Sequence, residues 1–440
     1  MNFKSFCMAV CAMALTTQCF GQTKLAPLVP KHEVLYEINV RQFSEEGKLS
    51  AIIPQLPRIK AMGVTTIWLM PIYPIGVEAR KGKLGSYYSI KNYTDVNPEF
   101  GTTDDFKALV NAAHASGMRV ILDWVANHTA WDHKWVKDHP EYYERDKKTG
   151  KLASPFDWTD VVELNYTNNE MRAAMIESMR WWVSNFGVDG FRCDVAEMVP
   201  LDFWEKARES IDAKHEQLWL GESENDQYFS AFDLQYAWKY MHMLEDYAKG
   251  KLNQDSALQI MNRYQILASK GMHHMFFTSN HDENSWNGTD AEKFGDAHRA
   301  LIEFTVAMPG AFMIYNGQET GLDKRLKFFE KDPIVWTRSD MPQYYTALLQ
   351  DRAYNLSGEH SISYIPTTAT GDFAMLVNTS NGTNALYYYR RTALKNGANG
   401  ESEDSEEQFP KFGGNARIPI MDLLSRKAIK VGVVNKLSYQ

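Results

Sequence analysis

Hydrophobic and polar positions along the chain are grouped in blocks. From residue 34 onward, short and nearly continuous apolar runs are separated by longer amphipathic stretches. Such runs are typical of strands that are buried on both faces, as in a parallel sheet. The eight runs are residues 34–43, 66–70, 119–125, 188–195, 218–222, 231–236, 272–281 and 311–319.

Most of the intervening stretches have the periodicity of an amphipathic helix. The predicted helices are residues 49–62, 103–116, 168–186, 202–214 and 295–308. For the second of them, Thr103 is the expected N-cap and Gly117 the expected stop. Strands that alternate with helices in eight successive units predict an α/β fold, a (β/α)8 TIM barrel.

Two segments break this alternation. Residues 128–168 make a connection too long for an ordinary loop, so we expect a short lobe (domain B) inserted after strand 3. Residues 356–440 contain short apolar stretches separated by turn signals, which predict a C-terminal antiparallel β-sandwich domain. The catalytic barrel would then comprise residues 22–127 and 169–355.

The N-terminus has the pattern of an export signal. Lys4 precedes an apolar run that ends in small residues near Gly21. We therefore expect residues 1–21 to be a signal peptide and the protein to be exported, periplasmic or secreted; a lipid anchor at Cys19 is the less favoured alternative. Removal of the segment would leave Cys193 as the only cysteine and no internal disulfide.

Net charge and hydropathy argue against nucleic acid and membranes as partners. The 440 residues carry a formal net charge of −8 at pH 7, which disfavours nucleic acid and anionic lipid as partners. Beyond the signal segment, no stretch is long and apolar enough to span a membrane.

Polar residues interrupt the apolar runs at one end of several predicted strands. In a barrel, the C-terminal ends of the strands build the active site. The set comprises Asp123, Asn127 and His128 in the third strand, Arg192 and Asp194 in the fourth, Glu222 in the fifth, and Asn280, His281 and Asp282 in the seventh. So many carboxylates on one rim would repel one another without a function to retain them.

Glycoside cleavage is the chemistry that this set favours. A retaining glycosidase needs two carboxyl groups about 5–5.5 Å apart, and neighbouring strands lie about 4.8 Å apart. Asp194 and Glu222 meet this requirement as nucleophile and as acid/base. Arg192 shares a face with Asp194, and we expect its charge to hold the pKa of that carboxyl down. Asp282 would favour the oxocarbenium-like transition state.

Four stretches in a fixed order give the sequence a specific resemblance. They are DWVANH (123–128), GFRCD (190–194), GES (221–223) and NHD (280–282). In these stretches the chain resembles the α-amylase superfamily, glycoside hydrolase family 13. The resemblance implies that Asp194 is the nucleophile, Glu222 the acid/base and Asp282 the stabiliser of the transition state.

The resemblance also implies contacts to the substrate, an oligo- or polysaccharide. The implied contacts to the reacting sugar come from Tyr88, which forms a platform, and from His128, Arg192 and His281. Trp286, four positions after Asp282, is expected to stack on a sugar ring. Trp131 and Trp135 could add such contacts, and for each of the three tryptophans packing within the lobe is the alternative.

Departures from the family pattern concern metal binding and assembly. Many α-amylases carry Lys-His after the nucleophile segment, where the histidine carbonyl helps to bind calcium; here Glu197 and Met198 take those places. The chemistry requires no cofactor, and a structural calcium with Asn127 as candidate ligand stays open, although the lobe shows no Asp cluster to complete such a site. The first strand follows closely after the signal segment, so we expect no extra N-terminal β-domain of the kind found in neopullulanase-like members. This weakens the case for their domain-exchanged dimer, and we expect a monomer.

Two activities fit the same site. The first is hydrolysis of α-glucans or maltooligosaccharides, mainly at α-1,4 bonds. The second is transglycosylation or sugar isomerisation, as in glucanotransferases and trehalose synthases. A non-catalytic relative is disfavoured because Asp194, Glu222 and Asp282 are all present.

Overall fold

The computed structural model of the chain describes residues 25–213, 216–336, 340–355, 360–366, 373–379 and 384–389. Ten strands precede residue 320: β1 (Val34–Ile38), β2 (Thr66–Leu69), β3 (Arg119–Trp124), β4 (His128–Ala130), β5 (Val161–Glu163), β6 (Gly190–Cys193), β7 (Leu218–Gly221), β8 (Leu234–Tyr236), β9 (His273–Phe276) and β10 (Ala311–Tyr315). Eight of them close into a barrel in the order β1-β10-β9-β8-β7-β6-β3-β2. The predicted TIM barrel is confirmed, and each of the eight apolar runs contains one barrel strand.

Helices follow most of the barrel strands. They are α1 (Val40–Phe43), α2 (Leu56–Ala61), α3 (Thr103–Ala115), α4 (Lys134–Asp138), α5 (Asn169–Phe186), α6 (Leu201–Asp212), α7 (Trp238–Ala248), α8 (Gln254–Ser269), α9 (Asp290–Phe294), α10 (His298–Val306) and α11 (Met341–Asn355). The sequence analysis did not predict α7, α8 or α11. Among the described residues, no helix combines the length and the apolar character needed to cross a membrane.

Two helix predictions need correction. The N-cap of α3 is Thr102 and not Thr103, because Thr102 and Asp105 exchange hydrogen bonds in a capping box. Segment 49–62 is not one helix, since only α2 at its end is α-helical and short 3-10 turns precede it. Pro54 and Pro57 lack the N–H groups that a continuous helix would use.

The strands of the barrel are buried on both faces, as their apolar runs predict. Trp68 in β2, Trp124 in β3 and Trp219 in β7 have fully buried side chains. Charged groups nevertheless occur in this interior, and Glu37, Asp123 and Arg192 are each 0% exposed. Buried charges are costly unless they are paired. Glu37, Asp123 and Arg192 all lie near the C-terminal ends of their strands.

The insertion after β3 begins and ends with two short strands. β4 and β5 pair in antiparallel register, with His128 opposite Glu163 and Ala130 opposite Val161. This pairing returns the chain to the barrel rim before α5 begins. The chain between β4 and β5 is therefore a lobe inserted after β3 at the mouth of the barrel, whereas the bounds 128–168 stay a prediction.

Three strands are described within the predicted C-terminal domain. They are β11 (His360–Pro366), β12 (Phe373–Thr379) and β13 (Asn384–Tyr389), and they form one antiparallel sheet in the order β11-β12-β13. The second sheet of the predicted sandwich and the signal peptide at residues 1–21 lie outside the described residues.

Candidate active site

A cavity of about 400 Å³ lies at the C-terminal ends of the barrel strands. Seven of the residues predicted for the site line it: Tyr88, His128, Asp194, Glu222, His281, Asp282 and Trp286. Lobe residues Asp157, Trp158 and Asp160 form part of the same wall, and the sequence analysis did not single them out. Arg192 is fully buried next to the cavity.

Strand register places the two predicted catalytic carboxyls side by side. Cys193 of β6 pairs with Gly221 of β7, so Asp194 and Glu222 each follow a paired position. The Glu222 N–H donates to the Cys193 carbonyl at 2.9 Å. Gly190 lets the two strands approach, because a Cβ there would lie 2.0 Å from a carbonyl oxygen of β7.

Arg192 connects three carboxylates. Its Nη1 donates to one oxygen of Asp123 and one of Asp194, each at 2.9 Å. Its Nη2 lies 2.9 Å from Glu222 Oε2, an ion-pair distance without the angle of a hydrogen bond. Its Nε donates to the Tyr236 hydroxyl at 2.9 Å. The guanidinium is therefore shared by both predicted catalytic groups and is not reserved for Asp194.

The prediction that the pKa of Asp194 is held down is wrong in its net sign. Burial raises the pKa of Asp194 well above its ordinary value; Arg192 lowers it, while Glu222 and other carboxylates raise it further. The charge of Arg192 therefore offsets part of the cost of burying Asp194 and does not outweigh it.

Val195, directly after Asp194, has a strained backbone. Its φ of 37° and ψ of 49° lie in the left-handed region, which β-branched residues rarely adopt. In this conformation its N–H donates to Glu222 Oε2 at 2.7 Å. Strain of this kind costs about 1–3 kcal/mol and is typical of active sites; here it helps to fix the Glu222 carboxyl.

Glu37 is a site residue that the sequence analysis missed. Its Oε1 lies 2.5 Å from His281 Nδ1 inside the barrel. On the other side of the ring, His281 Nε2 lies 3.3 Å from Asp282 Oδ2. Burial lowers the pKa of His281, but Asp282 and Glu37 outweigh it and raise that pKa well above its ordinary value. His281 is therefore a cation between two carboxylates.

The same cation affects Asp282, which is the predicted stabiliser. Burial acts to raise the pKa of Asp282, but His281 outweighs it and leaves the pKa below its ordinary value. Asp282 is therefore ionised at neutral pH, as a group that favours an oxocarbenium-like centre must be.

Tyr88, the residue predicted as a platform, lines the cavity beside His281. Its hydroxyl donates to Asp123 Oδ2 at 3.0 Å and lies 2.8 Å from His281 Nε2. Its ring stacks on His281 with centroids 5.4 Å apart. Asp123 also accepts a hydrogen bond from Trp68 Nε1 at 3.2 Å, so its role is to hold Arg192 and Tyr88 in place.

His128 differs from His281 in charge. Burial lowers the pKa of His128 to about 4, so this imidazole is neutral at pH 7. Its Nδ1 lies 3.2 Å from the Asn127 amide, and its ring meets Trp158 edge-on at 5.5 Å. A neutral His128 can donate one hydrogen bond to a sugar hydroxyl without adding charge to the cavity.

Only one of the three tryptophans considered faces the cavity. Trp286 lines it with 53% of its surface exposed, and its ring lies 5.3 Å from that of Phe328. Trp131 instead donates to a carbonyl within the lobe, and Trp135 packs on His133 at 4.7 Å. The alternative that Trp131 and Trp135 pack the lobe therefore holds.

The region predicted as a candidate calcium site is poor in ligands. Among the described residues, no three His, Cys, Asp or Glu side chains are grouped to hold a metal ion. Calcium takes six to eight oxygen ligands; the Asn127 amide nitrogen lies 3.2 Å from His128 Nδ1, and its amide oxygen is the atom that could bind the ion. Glu197 accepts hydrogen bonds from the Ser223 hydroxyl and the Glu224 N–H, both at 2.9 Å. Calcium binding at Asn127 therefore stays a prediction.

Known proteins resemble this chain in sequence. The sequence matches the family model of the α-amylase catalytic domain over residues 36–163 and 146–357. It is 28% identical over 330 residues to α-amylase MalA of Haloarcula japonica, which covers 72% of this chain and 47% of MalA. It is 33% identical over 215 residues to the trehalose synthase/amylase TreS of Mycobacterium tuberculosis, which covers 40% of this chain and 35% of TreS.

A solved structure shows the same architecture. The maltogenic α-amylase AmyB of Thermotoga neapolitana, described as noncanonic, superposes with a TM-score of 0.76 at 32% identity, over 82% of this chain and 86% of AmyB. The chain spans about half the length of MalA, at 47%. The family match covers most of the barrel, including the ends of β3, β6, β7 and β9, whose residues line the cavity. The chain therefore belongs to the α-amylase family of glycoside hydrolases.

Proposed function

We propose that the protein is a retaining α-glycoside hydrolase of α-glucans or maltooligosaccharides, acting mainly on α-1,4 bonds. Asp194 is the nucleophile and Glu222 the acid/base. One observation carries the proposal: these two carboxyls follow neighbouring strands, line one cavity and contact the two terminal nitrogens of a single guanidinium.

In the first step, the ionised form of Asp194 attacks the anomeric carbon while the protonated form of Glu222 donates its proton to the glycosidic oxygen. Arg192 binds Asp194 through Oδ1, so Oδ2 is the oxygen available for attack. The described contacts of Glu222 both use Oε2, so Oε1 is the oxygen available to donate the proton. The bond to the leaving sugar breaks as the bond to Asp194 forms.

In the second step, Glu222 removes a proton from water, and the resulting hydroxide displaces Asp194 from the anomeric carbon. Two displacements on one carbon restore the original anomeric configuration. Asp282, kept ionised by His281, stabilises the positive charge that develops in both steps.

The alternative is transfer of the glycosyl group to another sugar or its isomerisation, and the similarity to the trehalose synthase/amylase TreS favours keeping it. Both outcomes share the first step and differ in the acceptor. A panel of starch, maltooligosaccharides, pullulan, isomaltose, trehalose, sucrose and maltose separates them. Trehalose formed from maltose would support isomerisation, and shorter maltooligosaccharides with free reducing ends would support hydrolysis.

The anomer of the first product tests the mechanism. We expect the α-anomer to appear first in a proton NMR time course, before mutarotation, with Asp194→Asn as the inactive control. Early appearance of the β-anomer would show an inverting reaction and contradict the proposal.

Three further properties belong to this proposal. The mature enzyme is exported after removal of residues 1–21, acts as a monomer and needs no cofactor for its chemistry. N-terminal sequencing of the exported protein, its mass in solution, and its activity and melting temperature with and without a calcium chelator test them in turn.

A further inference from the structure

Two loops meet above the barrel and form what we call the strap. It comprises residues 77–85, which follow β2, and residues 325–332, which follow β10. The Leu84 N–H donates to the Phe329 carbonyl at 3.0 Å, and the Lys83 N–H donates to Glu330 Oε1 at 2.8 Å. At Gly82, with φ of +63°, a Cβ would lie 2.4 Å from the Phe329 Cβ. The two loops are therefore in direct contact.

Buried polar residues of α1 hold the strap from below. Arg41, 2% exposed, donates from Nη1 to the carbonyls of Gly85 at 3.1 Å and Phe328 at 3.3 Å, one in each loop. Gln42, 0% exposed, donates to the Glu330 carbonyl at 2.7 Å. Burying a guanidinium is costly unless its hydrogen bonds are satisfied, so these contacts make the strap a built part of the fold.

The strap stands on the side of the barrel opposite to Glu222. In the closed order of strands, β1 lies between β2 and β10, and β7 is diametrically opposite to β1. The strap joins the loops after β2 and β10 and so passes over β1, whereas Glu222 follows β7. Because Glu222 protonates the leaving oxygen, the leaving sugar departs on the β7 side and the glycone extends towards the strap.

The strap forms a wall of the active cavity. Lys81 and Phe329, one from each loop, line the cavity together with Tyr88. Lys81 Nζ also pairs with Asp160 of the lobe at 3.1 Å, which joins the strap to the lobe. The cavity, at about 400 Å³, is near the lower end of the 300–1,000 Å³ range of small-molecule pockets.

We propose that the strap closes the glycone side of the site, so that the enzyme removes short units from the non-reducing end of an α-glucan and does not cut internal bonds. This inference rests on the proposed function. An enzyme that cuts internal bonds needs a groove open on both sides of the scissile bond, and a wall across the glycone side leaves room for only a short glycone.

The test uses two forms of one maltoheptaoside, with a free or a 4,6-O-ethylidene-blocked non-reducing end, and resolves the products by chromatography. We expect the blocked form to react at least about tenfold more slowly, since a wall without spare space rejects added groups. Equal cleavage of both forms at internal bonds would overturn the inference and leave the proposed function standing. Cleavage of neither form would instead refute the proposed function.

Glu330→Ala tests whether the strap causes the exclusion. This variant removes the acceptor of the Lys83 N–H, and we expect the rate on the blocked form relative to the free form to rise several-fold. Glu78→Ala is the matched control, because Glu78 is exposed on the same strap and its side chain has no hydrogen bond or ion pair to any described residue. An unchanged ratio in a folded Glu330→Ala variant would contradict the role of the strap.

Discussion

The contact between Glu37 and His281 leads to a quantitative prediction. Glu37→Gln keeps the shape of the side chain and an oxygen that can accept the Nδ1 proton, but removes the negative charge 2.5 Å from the ring. Hydrogen bonds to charged groups are worth about 1.5–3 kcal/mol; the carboxylate–imidazolium pair belongs at the upper end of this range and an amide–imidazolium pair at the lower end. The substitution should therefore cost about 1–1.5 kcal/mol of the interaction with the imidazolium.

The direction of the effect follows from the charges. Asp282 and Glu37 both raise the pKa of His281, so the loss of one partner lowers it. One pKa unit corresponds to 1.36 kcal/mol, and we therefore expect the pKa of His281 to fall by about one unit. A less firmly held His281 positions Asp282 less well, and kcat/KM should fall by about tenfold.

NMR of protein labelled at histidine nitrogen measures the titration of His281 directly, with the His281→Gln spectrum assigning its signal. Glu33→Gln is the matched control. Glu33 precedes β1, is 3% exposed and pairs with Arg119 at 3.0 Å, so its loss should lower the melting temperature and leave the titration of His281 unchanged. If Glu37→Gln left both the His281 titration and kcat/KM at their original values, the proposed role of Glu37 would be wrong.

Three further predictions concern Asp194, Trp286 and Asp290. Asp194→Asn should lower kcat by at least about 10⁴-fold and leave the melting temperature equal or higher, because burial disfavours the charge of Asp194; circular dichroism and calorimetry check the fold. Trp286→Ala should raise KM by about three- to tenfold with little change in kcat, since loss of an aromatic contact costs about 0.5–1.5 kcal/mol; initial rates over a range of substrate concentrations measure both. Burial acts to raise the pKa of Asp290, but His298 and hydrogen bonds lower it to about 2. Asp290→Asn should therefore lower the free energy of unfolding by about 2 kcal/mol at pH 7. The difference in stability between the variant and the wild type should shrink as the pH falls from about 4 towards 2, and urea unfolding measures it.

The barrel could be predicted because one pattern, an apolar run followed by an amphipathic stretch, recurs along the chain. Eight apolar runs that mostly alternate with helix-like stretches leave few other folds, and each run contains a barrel strand. The boundary of α3 was missed by one residue, because Thr102 and Thr103 are both good N-caps and only the reciprocal bond to Asp105 distinguishes them. The helix predicted over residues 49–62 is too long, because the prediction follows the apolar periodicity of the segment and not its prolines, Pro54 and Pro57.

The two carboxyls proposed as catalytic stand out in the sequence for a related reason. Asp194 and Glu222 stand out as charges at the ends of apolar strands. Glu37 carries the same signal within the run 34–43, but a single glutamate in a first strand does not reveal its partner. His281 is far away along the chain and meets Glu37 only when the barrel closes.

Contacts and net charges of the site could not be predicted from local patterns. The strap depends on bonds between α1 and two loops that are distant in sequence, as Arg41 to Phe328 illustrates. The pKa of Asp194 depends on the balance between burial and Arg192, and alternation along a strand indicates only that the two side chains share a face.

The identity of the nucleophile is the central claim, and covalent trapping tests it most directly. A 5-fluoro-α-glucosyl fluoride should react with the enzyme and slow the second step enough for the glycosyl-enzyme to accumulate. Mass spectrometry of the digested protein should then place the sugar on Asp194, and Asp194→Asn should remain unlabelled. A label on another carboxyl, or turnover of the reagent by Asp194→Asn at the wild-type rate, would contradict the account.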